Sequence, residues 1–345
     1  MNKAQILAEV KKKEIKFINL HFTDIHGMVK SITIPISELP GAIENNVWFD
    51  GSSIEGFTRI FESDMYLKLD LDTFRVLPWG STPTALFICD VFLPDGEPFM
   101  GDPRQILRKQ LAEAAKMGLQ FNTGPELEFF LFKKAEDGSI SSLPNDRASY
   151  FDFTTDLAAH IRKDMSSALI ALGINVETLH HEVAPGQHEI SFRYAEGLQT
   201  ADSAVLFKCV LKAIAQKYDL HATFMPKPIQ GQNGSGMHTH ISLADPKTGK
   251  NLFNDPKAEH GLSELGKQFT AGLLAHASAF AAITNPTVNS YKRLVPGYEA
   301  PVYIAWGTTN RSALIRMPRI NPKLASKATR VDLRNPDPSC NPYLA

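Results

Sequence analysis

Gly124-Pro125-Glu126-Leu127-Glu128-Phe129-Phe130-Leu131 reads as a strand with two unlike faces. Residues two apart in a strand share a face, so Glu126 and Glu128 point one way while Leu127 and Phe129 point into a core. Two carboxylates side by side on an apolar strand repel each other and lose solvation, and a divalent cation would remove both problems. A solvated strand face is the alternative reading of this pair taken by itself. Outward from it, helices are expected at 103–117, 156–172, 200–217 and 260–282, with strands at 124–133, 187–194, 222–226 and 238–243. The strands carry polar residues at inward-capable positions. That favours an α+β fold with one sheet face serving as a site over a doubly wound sheet.

The segment before residue 101 has a different texture. A short helix is expected at 3–13, then a hairpin of Phe17–Phe22 with Val29–Pro35 across Thr23-Asp24-Ile25-His26-Gly27. Further strands are expected within 66–79 and 84–94. Asp102 and Pro103 are a helix start, so the boundary is placed near 101, giving domains 1–100 and 101–345. The 345 residues carry 36 Lys+Arg against 37 Asp+Glu, a net charge of −1, which excludes bulk-charge binding to nucleic acid or an anionic membrane. Cys89, Cys209 and Cys340 have no paired spacing, so neither a disulfide framework nor a Cys-rich zinc site is expected. No apolar run approaches the roughly 20 residues of a membrane span, and a cytoplasmic protein is the expectation.

Three other stretches carry chemistry. His180-His181-Glu182-Val183-Ala184-Pro185-Gly186-Gln187-His188-Glu189 presents two more carboxylates around one turn, with imidazoles beside them. Four carboxylates from two strand-like segments point to a hard cation, Mg²⁺ or Mn²⁺. Lys227-Pro228-Ile229-Gln230-Gly231-Gln232-Asn233-Gly234-Ser235-Gly236-Met237-His238-Thr239-His240 joins a glycine-rich loop to two histidines on one strand face. It lacks the Gly-Lys-Ser/Thr ending of a P-loop, and reads as a metal and phosphate site. Arg293, Arg311, Arg316, Arg330 and Arg334 suit an anionic ligand, although exposed strand-edge charge is the ordinary fate of such residues. Together these features describe metal-assisted phosphoryl transfer to an anionic substrate.

The sequence resembles type I glutamine synthetase from end to end. The resemblance rests on Phe49-Asp50-Gly51-Ser52-Ser53 with Glu62-Ser63-Asp64, on Lys227 through Ser242, and on Asn289-Ser290-Tyr291-Lys292-Arg293-Leu294-Val295-Pro296-Gly297-Tyr298-Glu299-Ala300-Pro301. It implies an N-terminal β-grasp domain and a catalytic domain built on a curved antiparallel sheet with helices. It further implies a homo-oligomer, a hexameric ring with active sites between subunits, acting on L-glutamate, ammonium and ATP. By position, one metal falls to Glu128, Glu182 and Glu189, and a second to Glu126, His238 and Asp332. Glutamate falls to Asn233, Gly234, Arg293, Glu299, Arg311 and Arg334. ATP falls to Glu177, Tyr194, His240, Ser242, Arg316, Lys327 and Arg330. Asp50, Glu299 and Arg311 are the implied catalytic residues, with Asp50 and the flap residue Glu299 binding ammonium and taking its proton. Arg59 is the implied mediator of feedback inhibition by glutamine.

Two departures shape the expectations. Arg330-Val331-Asp332-Leu333-Arg334 has Asp where the family pattern has Glu, one methylene shorter, so weakened affinity at the second metal is expected. The family's chain also continues beyond the position of Ala345 through a helical segment carrying the strap between two rings. The catalytic domain is therefore expected to be incomplete, poorly folded at its end and inactive or weakly active, and a dodecamer is in doubt. The rival readings are a γ-glutamyl-amine or polyamine ligase of the same superfamily, and a truncated, inactive paralogue with a regulatory or assembly role. The intact Asp50-Gly51-Ser52-Ser53 favours ammonium over an organic amine.

Overall fold

The computed structural model describes residues 1–57 and 64–345. Arg59, with its expected feedback role, lies outside the described residues, as do Glu62 and Ser63. Two compact units are present, one over Met1–Lys109 with Leu344, the other over Gln110–Tyr343 with Ala345.

The first unit opens with α1 (Lys3–Lys12), whose start is fixed by a capping box between Asn2 and Gln5 and whose inner face buries Ile6 and Val10. The expected hairpin forms from β1 (Phe17–Thr23) and β2 (Val29–Pro35). After α2 (Leu39–Asn45) come β3 (Val47–Asp50), β4 (Asp64–Leu69), β5 (Arg75–Val76) and β6 (Thr84–Phe92). The sheet order is β2-β1-β6-β4-β3 with β5 on β6, and β1 runs parallel to β6. Ile18 and Leu20 alternate inward on β1, as Met65, Leu67 and Leu69 do on β4, and together they build the core with Phe87 and Val91. Pro103 starts α3 (Pro103–Lys116), and Asp102 caps it: one carboxylate oxygen accepts from Arg104 N–H at 3.0 Å, the other from Val91 N–H at 3.0 Å. Arg104, 2% exposed, pairs with Asp70 at 2.8 Å and Asp90 at 2.6 Å, which ties the helix start to the sheet.

The second unit is a ten-stranded sheet centred on β7 (Gln120–Lys134). Its other strands are β8 (Ile140–Pro144), β9 (Val176–His181), β10 (Gln187–Phe192), β11 (Ala195–Glu196), β12 (Leu220–Thr223), β13 (Met237–Ala244), β14 (Tyr303–Gly307), β15 (Ala313–Arg316) and β16 (Val331–Leu333). The order is β14-β15-β16-β13-β7-β10-β9, antiparallel except for the β14–β15 pair. Helices α4 (Ala159–Ala171), α5 (Gly197–Lys217) and α6 (Glu264–Thr284) accompany it, with the short α7 (Val288–Arg293) and α8 (Ala325–Ala328). On β7 the alternation is as expected: Leu127 and Phe129 are fully buried, and Phe129 meets Phe207 of α5 edge-on at 6.4 Å. Asp337 and Cys340 are fully buried, Tyr343 is 4% exposed, and the Tyr343 hydroxyl donates to Asp202 at 2.8 Å. No helix among the described residues is long and apolar enough to cross a membrane.

Candidate active site

Strand register assembles the polar face. Glu128 lies opposite Glu189 of β10, and Glu189 lies opposite His180 of β9. On the other side Glu126 lies opposite His238 of β13, His240 lies opposite Asp332 of β16, and Asp332 lies opposite Arg316 of β15. Period two along each strand and direct pairing across strands thus bring the polar side chains from six strands onto one face.

Glu126 sits between two imidazoles, with His240 Nε2 at 2.8 Å and His238 Nδ1 at 3.5 Å. Burial opposes its ionisation, yet hydrogen bonds with His238 and His240 win and hold it well below the usual carboxylate range. Glu128 behaves oppositely. Its Oε2 accepts from Gln187 Nε2 at 2.8 Å and from Gly236 N–H at 3.0 Å. Burial, then the charge of Glu182, pushes its pKa up to about 8. Glu189 is also pushed well above the carboxylate range, by burial and then by Glu126, Glu128 and Glu182. His180, Glu182 and Glu189 bring one ligand atom each within 4.8 Å of one another. Crowded, buried carboxylates with oxygen donors are what a divalent cation relieves, so these residues fit Mg²⁺ or Mn²⁺.

The turn carrying Glu182 and Glu189 is anchored from beneath. The buried Asp146 accepts from Gly186 N–H at 3.1 Å and lies 2.8 Å from His181 Nε2, while His181 Nδ1 lies 2.6 Å from the Glu182 carbonyl. Gly186 has φ +68°, and a Cβ there would come within 2.8 Å of Pro144 and 2.9 Å of the Leu131 carbonyl, so only glycine turns the chain here. Asp146, His181 and His188 also have ligand atoms within 4.8 Å of one another, but the Arg162 guanidinium, 2.9 Å from His188 Nδ1, already supplies positive charge to this network. Asp146→Ala is expected to weaken Mg²⁺ or Mn²⁺ binding by roughly 10- to 100-fold. Calorimetric titration checks this, and unchanged affinity would show that the turn holds its shape unaided.

Two cavities are lined in part by residues of β7 and β13. A cleft of about 700 Å³ is lined by Gly124, Glu126, Glu177, Tyr194, His240, Ser242, Lys327 and Arg330 among others, and so gathers most of the residues expected to meet ATP. Arg316 instead donates to Asp332 Oδ2 at 3.1 Å, and Arg330 donates to His240 Nδ1 at 3.2 Å. A smaller cavity is lined by Glu128, Glu182, Gln187, Asn233, Gly234, His238, Arg293, Tyr298, Glu299 and Arg334, which gathers most of the residues expected to meet glutamate. Arg293 is 3% exposed and donates to the carbonyls of Asn335 at 2.9 Å and Arg334 at 3.1 Å. Arg311 is exposed, and its charge opposes the rise that burial and Glu182 impose on the Tyr150 pKa. Asp50 is carried by the first unit, exposed on β3, where its carboxylate accepts from Ser52 N–H at 2.8 Å.

Asp332 and the glycine loop depart from their sequence readings. Asp332 is fully buried, and its Oδ2 accepts from both Arg316 and, at 2.9 Å, Arg334, while Oδ1 has no hydrogen-bond partner among the described residues. The loop does not offer free N–H groups to a phosphate at two of its positions: Ser235 N–H donates to Pro226 O at 2.8 Å and Gly236 N–H to Glu128. Gln187 and Tyr150 received no role from the sequence. Gln187 had a signal there, an uncharged donor embedded among carboxylates. Tyr150 had none.

The cavities and the carboxylates between them share a demand: positive charge must arrive on one side, and negative charge on the other. That places the chain among cation-assisted enzymes acting on anionic substrates. Residues 100–345 match the family "Glutamine synthetase, catalytic domain" and residues 14–94 match "Glutamine synthetase, beta-Grasp domain". A glutamine synthetase of Thermus thermophilus is 53% identical, over 99% of this chain and 77% of that protein. Among solved structures, a Plasmodium falciparum glutamine synthetase superposes with a TM-score of 0.91 at 29% identity, over 100% of this chain and 73% of that one. A GmaS/ADP complex superposes with a TM-score of 0.87 at 33% identity, over 97% of this chain and 77% of that one. The chain belongs to the glutamine synthetase family.

Proposed function

We propose that this chain joins ammonia to L-glutamate with ATP, giving glutamine, ADP and phosphate by way of γ-glutamyl phosphate. The supporting observation is that Glu126 and His240 line the larger cleft, while Glu128 and His238, each two residues away on the same strands, line the arginine-lined cavity. A nucleotide in the first and an amino acid in the second would direct the γ-phosphate and the γ-carboxylate toward the same carboxylate cluster. A free carboxylate is a poor acyl donor, because oxide is a poor leaving group. Phosphoryl transfer breaks the bond between the γ-phosphorus and its bridging oxygen as a γ-carboxylate oxygen bonds that phosphorus; ammonia then attacks the acyl carbon, and phosphate leaves as the carbon–nitrogen bond forms.

The roles follow from chemistry. Mg²⁺ or Mn²⁺, held by Glu128, Glu182 and Glu189 at one site and by Glu126, His238 and Asp332 at another, would supply Lewis-acid stabilisation of the transferring charge. His180 joins the first set by its position. Asp332 contributes to the second only through Oδ1, since Oδ2 is shared by two arginines. Lys327 and Arg330 meet the nucleotide phosphates, with Glu177, Tyr194, His240, Ser242 and Arg316 completing that site. Arg293, Arg311, Arg334, Asn233 and Gly234 hold glutamate. Ammonium is not nucleophilic until it loses a proton, and Asp50, from a neighbouring subunit of a ring-shaped oligomer, and Glu299 take it. The functional division at 1–100 and 101–345 is supported by the spans of the two family matches.

The test measures products of the purified chain supplied with L-glutamate, ATP, Mg²⁺ and one acceptor at a time: ammonium, putrescine or ethanolamine. Glutamine and phosphate in equal amounts, with ammonium the preferred acceptor, is the expected outcome. Preference for an organic amine would overturn the choice of acceptor. The absence of glutamate-dependent phosphate release would overturn the whole reading.

A further inference from the structure

Lys227 gathers three segments that border the smaller cavity. Its backbone is clamped to α7: Lys227 N–H donates to Asn289 Oδ1 at 2.7 Å, and Lys227 O accepts from Asn289 Nδ2 at 3.0 Å. Its ammonium donates to the carbonyl of Gln232, the residue before Asn233 and Gly234. The same ammonium lies 3.6 Å from the centroid of the Tyr298 ring. Lys227 is 8% exposed, so this charge has lost most of its water and meets the negative face of an aromatic ring instead.

Tyr298 stands between two unusual backbone positions. Gly297 has φ +93°, and Glu299 has φ +61°, a left-handed conformation that costs a non-glycine residue energy unless its surroundings hold it. Glu299 is exposed, and the next residue, Ala300, is buried. Both Tyr298 and Glu299 line the cavity together with Asn233, Gly234 and Arg293. The ring of Tyr298 is therefore the handle by which a buried cation reaches the segment carrying Glu299.

We infer that Lys227 is a positioning residue: its ammonium, seated on the Tyr298 ring, holds residues 295–300 so that the Glu299 carboxylate faces the cavity. The inference rests on the reading of Glu299 as an ammonium-site group. Because Lys227 also binds the Gln232 carbonyl, it sets the flap and the Asn233–Gly234 loop from one point.

Hydrogen exchange on the full chain tests the contact directly, alongside the KM for ammonium. Lys227→Met and Tyr298→Leu are each expected to speed exchange at the amides of 297–300 by about tenfold. Each is expected to raise the ammonium KM by a similar factor. Lys227→Arg and Tyr298→Phe, which keep a cation and a ring, are expected to stay near the parent. The double variant Lys227→Met/Tyr298→Leu is expected to be no worse than either single one, because both remove the same contact. Tyr298→Leu leaves the bond from Lys227 to Gln232 in place, so it decides the matter if Lys227→Met also loosens β13. Unchanged exchange at 297–300 in Tyr298→Leu, or additive effects in the double variant, would overturn the inference. A parent chain that makes no glutamine, with flap exchange still responding as stated, would overturn the role of Glu299 and leave the contact standing.

Discussion

Glu128→Gln is expected to lower glutamine formation by roughly 10²- to 10³-fold without unfolding the chain. The carboxylate is buried on the central strand and accepts from Gln187 and Gly236, and it lies opposite Glu189. An amide of the same shape can keep one acceptor atom there. Its NH₂ group must face either the Gln187 donor or the cation, and neither pairing is attractive. The charge that would offset a divalent cation is lost outright. Stability moves the other way, since removing one buried carboxylate relieves its repulsion with Glu182 and Glu189. The expected pattern is a nearly dead enzyme whose thermal midpoint is unchanged or raised. Turnover within a few-fold of the parent would remove Glu128 from the cation site.

Cation binding is expected to release protons and to strengthen steeply with pH. Without a cation, Glu128 has its pKa pushed up to about 8 by burial and by Glu182, and burial with three neighbouring carboxylates raises Glu189 as well. A cation binds the ionised forms, so below these pKa values protons compete with it. Apparent Mg²⁺ affinity should therefore rise by about tenfold per pH unit for each proton released, and flatten only once both Glu128 and Glu189 are ionised. Glu126 adds nothing to this slope, because bonds with His238 and His240 keep it ionised against the pull of burial. His238 adds nothing near neutrality either, since burial and the Arg334 charge lower its pKa. Calorimetry in two buffers of different ionisation enthalpy counts the protons. A binding heat independent of buffer would contradict the raised carboxylates.

Period two along β7 made Glu126 and Glu128 legible as a pair, and the turn Ala184-Pro185-Gly186 made Glu182 and Glu189 legible as its flanks. Long helices and alternating strands were legible for the same reason: their patterns are local. What the sequence withheld is register. That Glu128 faces Glu189, and that Asp332 faces His240 and Arg316, depends on strands far apart in the chain. The pairing of Asp332 with Arg316 followed from that register and could not be read from Arg330-Val331-Asp332-Leu333-Arg334, whereas Arg334 is its same-face neighbour two residues on. Asp146 lay outside every recognised motif, and its bond with Gly186 spans 40 residues. Lys227 was read only as the first residue of a glycine-rich loop, because a lysine's reach toward an aromatic ring leaves no mark on local spacing.

The placement of Glu126 and Glu128 on one strand has a last consequence. Their Cα atoms are separated by two residues of extended chain, about 7 Å, a length fixed by bond geometry and insensitive to how loops or helices settle. The central strand acts as a ruler graduated in carboxylates. Variation in the surrounding loops can widen a cavity or retune its charge, but the interval between the two carboxylate-bearing residues cannot drift with it. A single residue inserted between these two glutamates would rotate one of them to the opposite face, into the core now filled by Leu127 and Phe129.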